Sequence, residues 1–237
     1  MIRIGITGTD TAVGKTVIGC ALLALMHERG IQATPMKPCE TGISAVDDEL
    51  STSDGARLRV AAQCSAPMRD IVPYSLAEPL APMIAAARAG ISIDARALDT
   101  VYARLTLAHD AIVVEGAGGL LVPIAPGLDY GALFRRWSLP VIVVAANRLG
   151  VINHTLLTLQ AAERAGLVVK GVVLNHMKRR GNGVAFDIAE RTNFSALTAL
   201  LPGVPVLTFP FVEHADDVVA LAGIAQTSGL GALAGVS

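Results

Sequence analysis

This 237-residue chain lacks long hydrophobic runs. No apolar stretch approaches the ~18 residues that a membrane span needs, although 52% of the residues are hydrophobic and the mean hydropathy is positive. That excludes a membrane partner and assigns the hydrophobicity to Ala, Val and Leu in buried helices and parallel strands. A charge imbalance is also missing. The formal net charge is −1, which argues against nucleic acid as a main partner. Cysteine is sparse: Cys20, Cys39 and Cys64 stand alone, an odd number without metal-ligand spacing. This pattern predicts a reducing, cytoplasmic setting. No basic segment followed by an apolar one stands near Met1, so no export signal is visible. No internal repeat or linker interrupts the chain. Residues 1–237 are expected to form one domain, with a frayed Gly/Ala-rich tail over Ser228–Ser237.

The most informative stretch present is Gly8-Thr9-Asp10-Thr11-Ala12-Val13-Gly14-Lys15-Thr16. It follows an apolar strand pattern and opens a helix whose apolar face is Val17, Ile18, Ala21, Leu22, Leu25 and Met26. Strand, tight loop, Gly-Lys-Thr and helix spell a P-loop. Backbone N–H groups in such a loop cradle polyphosphate, and the helix N-terminus adds positive potential. Lys15 would reach the terminal phosphates and the Thr16 hydroxyl would hold Mg²⁺. The motif departs from its common form, with glycine at Gly8 where the pattern places it at Thr9.

Apolar strand patterns near Arg3–Thr7, Ala33–Lys37, Ala111–Glu115, Val141–Ala146, Gly171–Asn175 and Pro205–Phe209 alternate with helical segments. The helices are expected near Lys15–Arg29, Asp54–Cys64, Ala81–Ala89, Asp94–Ala108, Tyr130–Trp137, Asn153–Ala165, Asp187–Leu201 and Asp216–Thr227, with Gly30 and Gly166 as C-caps. Asp47–Ser53 reads as an exposed loop. The alternation predicts an α/β, P-loop NTPase-like fold: a mostly parallel central sheet with helices on both faces. Ligands of such sheets lie outside the carboxyl ends of the strands.

Three further motifs follow strands. Strand two runs into Lys37-Pro38-Cys39-Glu40-Thr41-Gly42. Lys37, at the active edge and not expected to be fully desolvated, would join Lys15 against a substrate that gains negative charge; the plainer reading is a surface lysine. Asp54 opens a helix and reads equally as an ordinary first-turn carboxylate. Val114-Glu115-Gly116-Ala117-Gly118-Gly119 ends a strand in the acid that usually holds the metal of a P-loop site. A later strand ends in Asn175-His176, where an amide can read a purine edge or simply occupy a turn. His154 and His176 form no metal set with other ligand types.

Together these residues resemble the dethiobiotin synthetase family. The resemblance runs from Ile2 to Val212. It rests on the motifs at 8–16, 37–42 and 114–119, on Pro-Tyr…Glu-Pro…Ala-Pro at 73–82, and on Leu-Gly-Val-Ile-Asn-His-Thr-Leu-Leu-Thr at 149–158. It implies an enzyme that joins CO₂ to 7,8-diaminononanoate with MgATP and closes a cyclic urea, through a carbamate and a carbamic-phosphoric anhydride. The implied catalytic residues are Lys37 and Lys15. The implied ATP site comprises Ala12, Val13, Gly14, Lys15, Thr16, Val17, Asp54, Glu115, Gly116, Ala117 and Gly118. Asn175, His176, Pro210, Phe211 and Val212 complete it around the adenine. Thr16, Asp54 and Glu115 would gather Mg²⁺. Thr11, Lys37 and Thr41 would hold the diamine end of the substrate. Gly150, Val151, Ile152 and Asn153 would hold its distant carboxylate from the neighbouring subunit, which implies a homodimer. Ala12 stands where some members carry Glu, and His176 where Asp is frequent.

Two other readings remain at this point. A cobyrinate-type synthetase shares the P-loop variant but needs a glutamine-hydrolysing domain for which the length leaves no room. A partitioning-type ATPase switch normally carries an early lysine in the loop, where this chain has Thr9, Asp10 and Thr11.

Overall fold

A computed structural model describes residues 1–43, 53–178 and 188–236. Its centre is a six-stranded sheet in the order β10-β9-β8-β1-β5-β2. The strands are β1 (Ile2–Gly8), β2 (Ala33–Met36), β5 (Ala111–Glu115), β8 (Val141–Ala146), β9 (Val169–Asn175) and β10 (Val206–Phe209). Every pairing in this sheet is parallel. Both of its faces are covered, so β8 and β5 up to its closing Glu115 are Val/Ile/Ala runs buried at every position, without polar alternation.

Alternate residues go to opposite sides. Ala111 and Val113 join one core cluster with Ile4, Ile6, Ile142 and Val144, while Ile112 and Val114 join the other. Helices α1 (Lys15–Glu28), α2 (Asp54–Ala61), α9 (Val218–Thr227) and α10 (Leu230–Ala234) supply the first cluster. Helices α4 (Pro82–Arg88), α5 (Ala95–Ala108) and α6 (Tyr130–Arg136) supply the second. On that side of the sheet, α7 (Val151–Arg164) and α8 (Ile188–Leu200) close a smaller cluster around Ala145 and Leu174. Helix α1 is buried on nearly all sides, which explains its almost wholly apolar sequence after Thr16.

The chain passes from β1 through α1 to the sheet edge at β2, returns to β5, and then steps through β8, β9 and β10 on the far side of β1. Strand order therefore reverses around β1. The crevice at the carboxyl ends of β1, β5 and β8 is the place such sheets reserve for ligands.

The expected strands and long helices are present, and Gly30 and Gly166 end α1 and α7 with φ of 71° and 67°. The tail differs from expectation. Residues 230–234 form α10, and Leu230, Leu233 and Val236 are buried. Its small residues suggested fraying, but they are what the space admits. A Cβ on Gly231 would lie 2.7 Å from Leu25, and one on Gly171 of β9 would lie 2.8 Å from Leu233. Short elements absent from the sequence reading are α3 (Met68–Ile71), the parallel pair β3 (Cys39–Thr41) and β4 (Tyr74–Leu76), and the hairpin β6 (Pro123–Ala125) and β7 (Leu128–Asp129). The expected loop Asp47–Ser53 lies outside the described residues except for Ser53, which is buried; Asp187 also lies outside them.

Candidate active site

The loop from Gly8 to Gly14 is shaped by close packing. The Thr9 N–H still donates to Val144 O at 2.9 Å, so residue 9 continues the strand alignment. This accounts for glycine at 8: a Cβ there would sit 2.8 Å from both Asp10 O and Val13 Cγ2. Gly14 caps α1 at φ 94°, and a Cβ there would collide with Asn175 Nδ2 at 2.0 Å. Asn175, expected to read adenine, donates Nδ2 to Val13 O at 3.0 Å and so braces the loop from β9.

Lys15 folds back over the loop and donates to Asp10 O at 2.9 Å. Burial, the dominant influence, pushes its pKa below the ordinary 10.5, with Glu115 pulling the other way. An ammonium so placed gains from a phosphate partner.

Lys37 faces the crevice, as expected, but is more deeply buried than expected, at 4% exposed. Its Nζ donates to Glu115 Oε1 at 2.7 Å and to Asp54 Oδ2. The same Glu115 oxygen accepts from Thr16 Oγ1 at 3.0 Å. Burial alone would lower the Lys37 pKa; the attraction of Glu115 and then Asp54 outweighs it and raises the value above 10.5. Burial alone would raise Asp54; Lys37 outweighs it and lowers that pKa below 3.8. Glu115 Oε2 is buried without a hydrogen-bond partner. Lys15, Thr16, Lys37, Thr41, Asp54, Glu115, Ala117 and Gly118 thus share one cavity of about 390 Å³ with Thr11, Ala12, Gly14 and Val17.

This donor set suits Mg²⁺: a hydroxyl and two carboxylates, all hard oxygens. Among the described residues no three His, Cys, Asp or Glu side chains are grouped to hold a metal by themselves. Mg²⁺ usually takes one or two carboxylates and fills its shell with substrate phosphates and water. The unpartnered Glu115 oxygen marks a carboxylate with capacity to spare.

Sequence reasoning missed two features. Glu40, inside the Lys37–Gly42 motif, is buried and lines the same cavity. An acid in a motif otherwise facing phosphate was the available signal. The second feature is an adjoining apolar groove of about 440 Å³. It runs from Gly8–Thr11 past Gly118–Pro123 to His154, Leu157, Thr158 and Ala161 of α7. Thr11 and Gly118 belong to both cavities.

The expected adenine segments lie together. β9 and β10 pair in parallel, and the His176 N–H donates to Phe209 O at 2.9 Å. Pro210, Phe211 and Val212 therefore leave the sheet beside His176, and Phe211 is exposed. Gly116 packs against the Tyr130 ring, where a Cβ would sit 3.2 Å away. Gly150, Val151, Ile152 and Asn153 open α7, with Gly150 at φ 92°. These four line neither cavity of their own chain.

A family model described as an AAA domain matches residues 3–210. The ATP-dependent dethiobiotin synthetase BioD of Anaeromyxobacter sp. (strain K) is 46% identical over 170 residues, covering 72% of this chain and 74% of that one. The BioD of Anaeromyxobacter dehalogenans (strain 2CP-C) is 42% identical over 205 residues, covering 84% and 89%. BioD 1 of Salmonella typhi is 40% identical over 179 residues, covering 76% and 78%.

The chain belongs to the ATP-dependent dethiobiotin synthetase family.

Family membership makes it an ATP-dependent ligase on a P-loop fold. The fold is shared more widely. A ParA family ATPase from Chlorobium tepidum TLS aligns with TM-score 0.53 at 12% identity, over 99% of this chain and 96% of the other. The septum site-determining protein MinD of Pyrococcus horikoshii OT3, complexed with Mg-ADP, aligns with TM-score 0.53 at 17% identity, over 95% and 85%. At those identities the likeness speaks for architecture alone. The partitioning-type reading gains nothing beyond it, whereas the synthetases match in sequence at 46% and 42% identity over 72% and 84% of the chain. Among the described residues no helix is long and apolar enough to cross a membrane.

Proposed function

We propose that this chain uses MgATP to join CO₂ to 7,8-diaminononanoate and close dethiobiotin, releasing ADP and phosphate. The observation that supports this best is the pair of cavities meeting at Thr11 and Gly118. One is charged and suits triphosphate; the other is apolar and suits an aliphatic chain. A substrate with amines at one end and a methylene chain behind them needs both.

One amine captures CO₂ as a carbamate. A carbamate oxygen attacks the γ-phosphorus, breaking its bond to ADP. The second amine then attacks the carbamoyl carbon, and the carbon–oxygen bond breaks to release phosphate. Such a sequence asks the protein for positioning and charge neutralisation more than covalent help. The P-loop backbone over Ala12–Val17 holds the phosphates, with Gly116 and Ala117 behind it. Lys15 and Lys37 neutralise charge on the transferred phosphoryl, and Thr11 and Thr41 orient the reacting end of the diamine. Thr16, Asp54 and Glu115 would hold Mg²⁺, which supplies charge stabilisation to the phosphates when bound. Asn175 Oδ1, His176 and Pro210–Val212 form the adenine end.

Gly150–Asn153 binds the substrate carboxylate of the neighbouring subunit in a homodimer. Helix N-termini favour anions, and these residues line neither of the two cavities described. Leu121, Leu149 and Leu157 are 70%, 80% and 56% exposed in the isolated chain, an apolar surface that pairing would cover. The three free cysteines suit a cytoplasmic enzyme.

Phosphate release tests the reading. ATP turnover that requires both the diamine and bicarbonate supports it; steady turnover without the diamine refutes it. Mixed dimers test the clamp. Lys37→Ala paired with a chain carrying Pro at Ile152 leaves one complete site, and activity near half that of the wild-type dimer is expected. A mixed dimer that pairs but stays inactive would assign the clamp to its own subunit.

A further inference from the structure

Glu40 lies three residues beyond Lys37 and is 4% exposed. Its carboxylate meets the start of α2. Oε1 accepts from the Asp54 N–H at 2.5 Å, and Oε2 accepts from the Gly55 N–H at 3.1 Å. Both donors belong to the first turn, where backbone N–H groups have no helical partner. Ser53 also caps this helix, accepting from the Ala56 N–H at 3.1 Å.

A serine cap is sufficient to start a short helix. A second, buried carboxylate is costly to desolvate, and burial raises its pKa above the ordinary 4.5. What it adds is placement. The backbone of Asp54 itself is tied to the segment that carries Lys37. The contact is packed as well as bonded, because a Cβ on Gly55 would lie 2.2 Å from Val72 Cγ2 and 3.1 Å from Glu40 Oε2. Asp54 cannot drift along or away from the cavity while both bonds hold.

We propose that Glu40 is a positioning residue for Asp54. It fixes the Asp54 carboxylate beside Lys37, Glu115 and Thr16, in the place where that carboxylate serves the metal. The proposal rests on the reading of Asp54 as a Mg²⁺ ligand. Glu40 itself touches no reacting atom; both its oxygens are committed to α2. Its role requires two acceptors. A glutamine keeps one and sets its amide N–H against the other backbone N–H.

The test is a Mn²⁺ titration in the presence of ADP, followed by electron paramagnetic resonance, with a thermal melt on each protein. The proteins are wild type, Glu40→Gln, Asp54→Asn, the double variant and Ser53→Ala. Removing a group that orients a metal ligand weakens metal binding by about 10-fold or more. Glu40→Gln should weaken Mn²⁺ by that factor and add nothing in the Asp54→Asn background. Ser53→Ala should lower the melting temperature without moving the Mn²⁺ affinity. Unchanged affinity in Glu40→Gln, with a loss in Asp54→Asn, would overturn the proposal and leave the metal reading standing. Unchanged affinity in both would overturn both. An additive loss in the double variant would show that Glu40 acts other than through Asp54. A Glu40→Gln chain that does not fold, while Ser53→Ala does, would make Glu40 a support of the whole fold and contradict its assignment to Asp54.

Discussion

The two cavities beside β1 are similar in volume and opposite in character. The one behind the P-loop gathers Lys15, Lys37, Asp54 and Glu115, with Lys37 paired to both acids. The one beside it is bounded by Leu120, Leu121, Val122, Pro123, Leu157 and Ala161. In the first, Lys37 is held by both Glu115 and Asp54, so a substitution there disturbs chemistry and electrostatics together. In the second, aliphatic residues stand beside Asp10, Thr11, His154 and Thr158, and a substitution at an aliphatic position is expected to alter recognition while the charged cluster stays intact. Under the proposed function, the division separates what makes the phosphoryl transfer work from what selects the substrate.

Breaking the charged side at its centre should have the largest effect. Lys37→Ala removes the cation shared by Glu115 and Asp54. Turnover should fall ~10²-fold or more, because a charge-assisted contact to the transferred group is lost. ADP should still bind, since the P-loop is untouched, and calorimetric titration with ADP checks this. The melting temperature should also fall, because Glu115 keeps only the Thr16 hydroxyl in a buried setting. Near-normal turnover would remove Lys37 from the chemistry.

Next come the two acids. Glu115→Gln and Asp54→Asn should each raise the Mg²⁺ concentration for half-maximal activity, read from activity against free Mg²⁺ at saturating ATP. An unchanged Mg²⁺ dependence in both would make the acids purely structural.

The apolar side sharpens the contrast from the other direction. Leu157→Glu places a charge in the groove and should raise KM for the diamine by roughly 10-fold, as expected for a lost apolar contact and an added desolvation penalty. KM for ATP should stay as in the wild type. A change in KM for ATP equal to that for the diamine would mean that the groove is not a separate substrate site.

The smallest effect is on stability against pH. Asp54 has a folded pKa below its ordinary 3.8, so its contribution is present above that value and fades as pH falls through the lower folded pKa. Lys37 has a folded pKa above 10.5, so its contribution is present below that value and fades as pH rises past it. The pair therefore stabilises the fold between these limits. Asp54→Asn should lower the melting temperature at neutral pH and weaken its fall below about pH 4. An identical acid limb in both proteins would contradict the pairing.

The same contrast explains what the sequence disclosed. Phosphate binding constrains residue type at fixed spacing, so Gly14, Lys15, Thr16 and Glu115 were readable and the structure groups them. The strands were readable because a doubly covered parallel sheet leaves continuous Val/Ile runs. The groove was not, since Leu121, Val122 and Leu157 look like any other aliphatic residues until α7 is laid beside the Gly118–Pro123 segment. Glu40 was hidden for a related reason: its partners are backbone N–H groups of residues 54 and 55, and backbone partners leave no mark in side-chain spacing. The tail misled because Gly and Ala suggest looseness, yet Leu230 and Leu233 give a short stripe that α1 and β9 cover. Burial of Lys37 followed from its pairing across 17 and 78 residues of sequence, a distance that no local pattern spans.

The central claim is that a carbamate oxygen, brought between the two cavities, attacks the γ-phosphorus and leaves with it. Oxygen tracing tests this most directly. The enzyme is given ¹⁸O-labelled CO₂ in unlabelled water and quenched within the first turnovers, before the label exchanges with solvent. The released phosphate and the product are then weighed by mass spectrometry. The account predicts one labelled oxygen in the phosphate and one in the ureido carbonyl for each ring closed. Product carrying label with phosphate that carries none would contradict it.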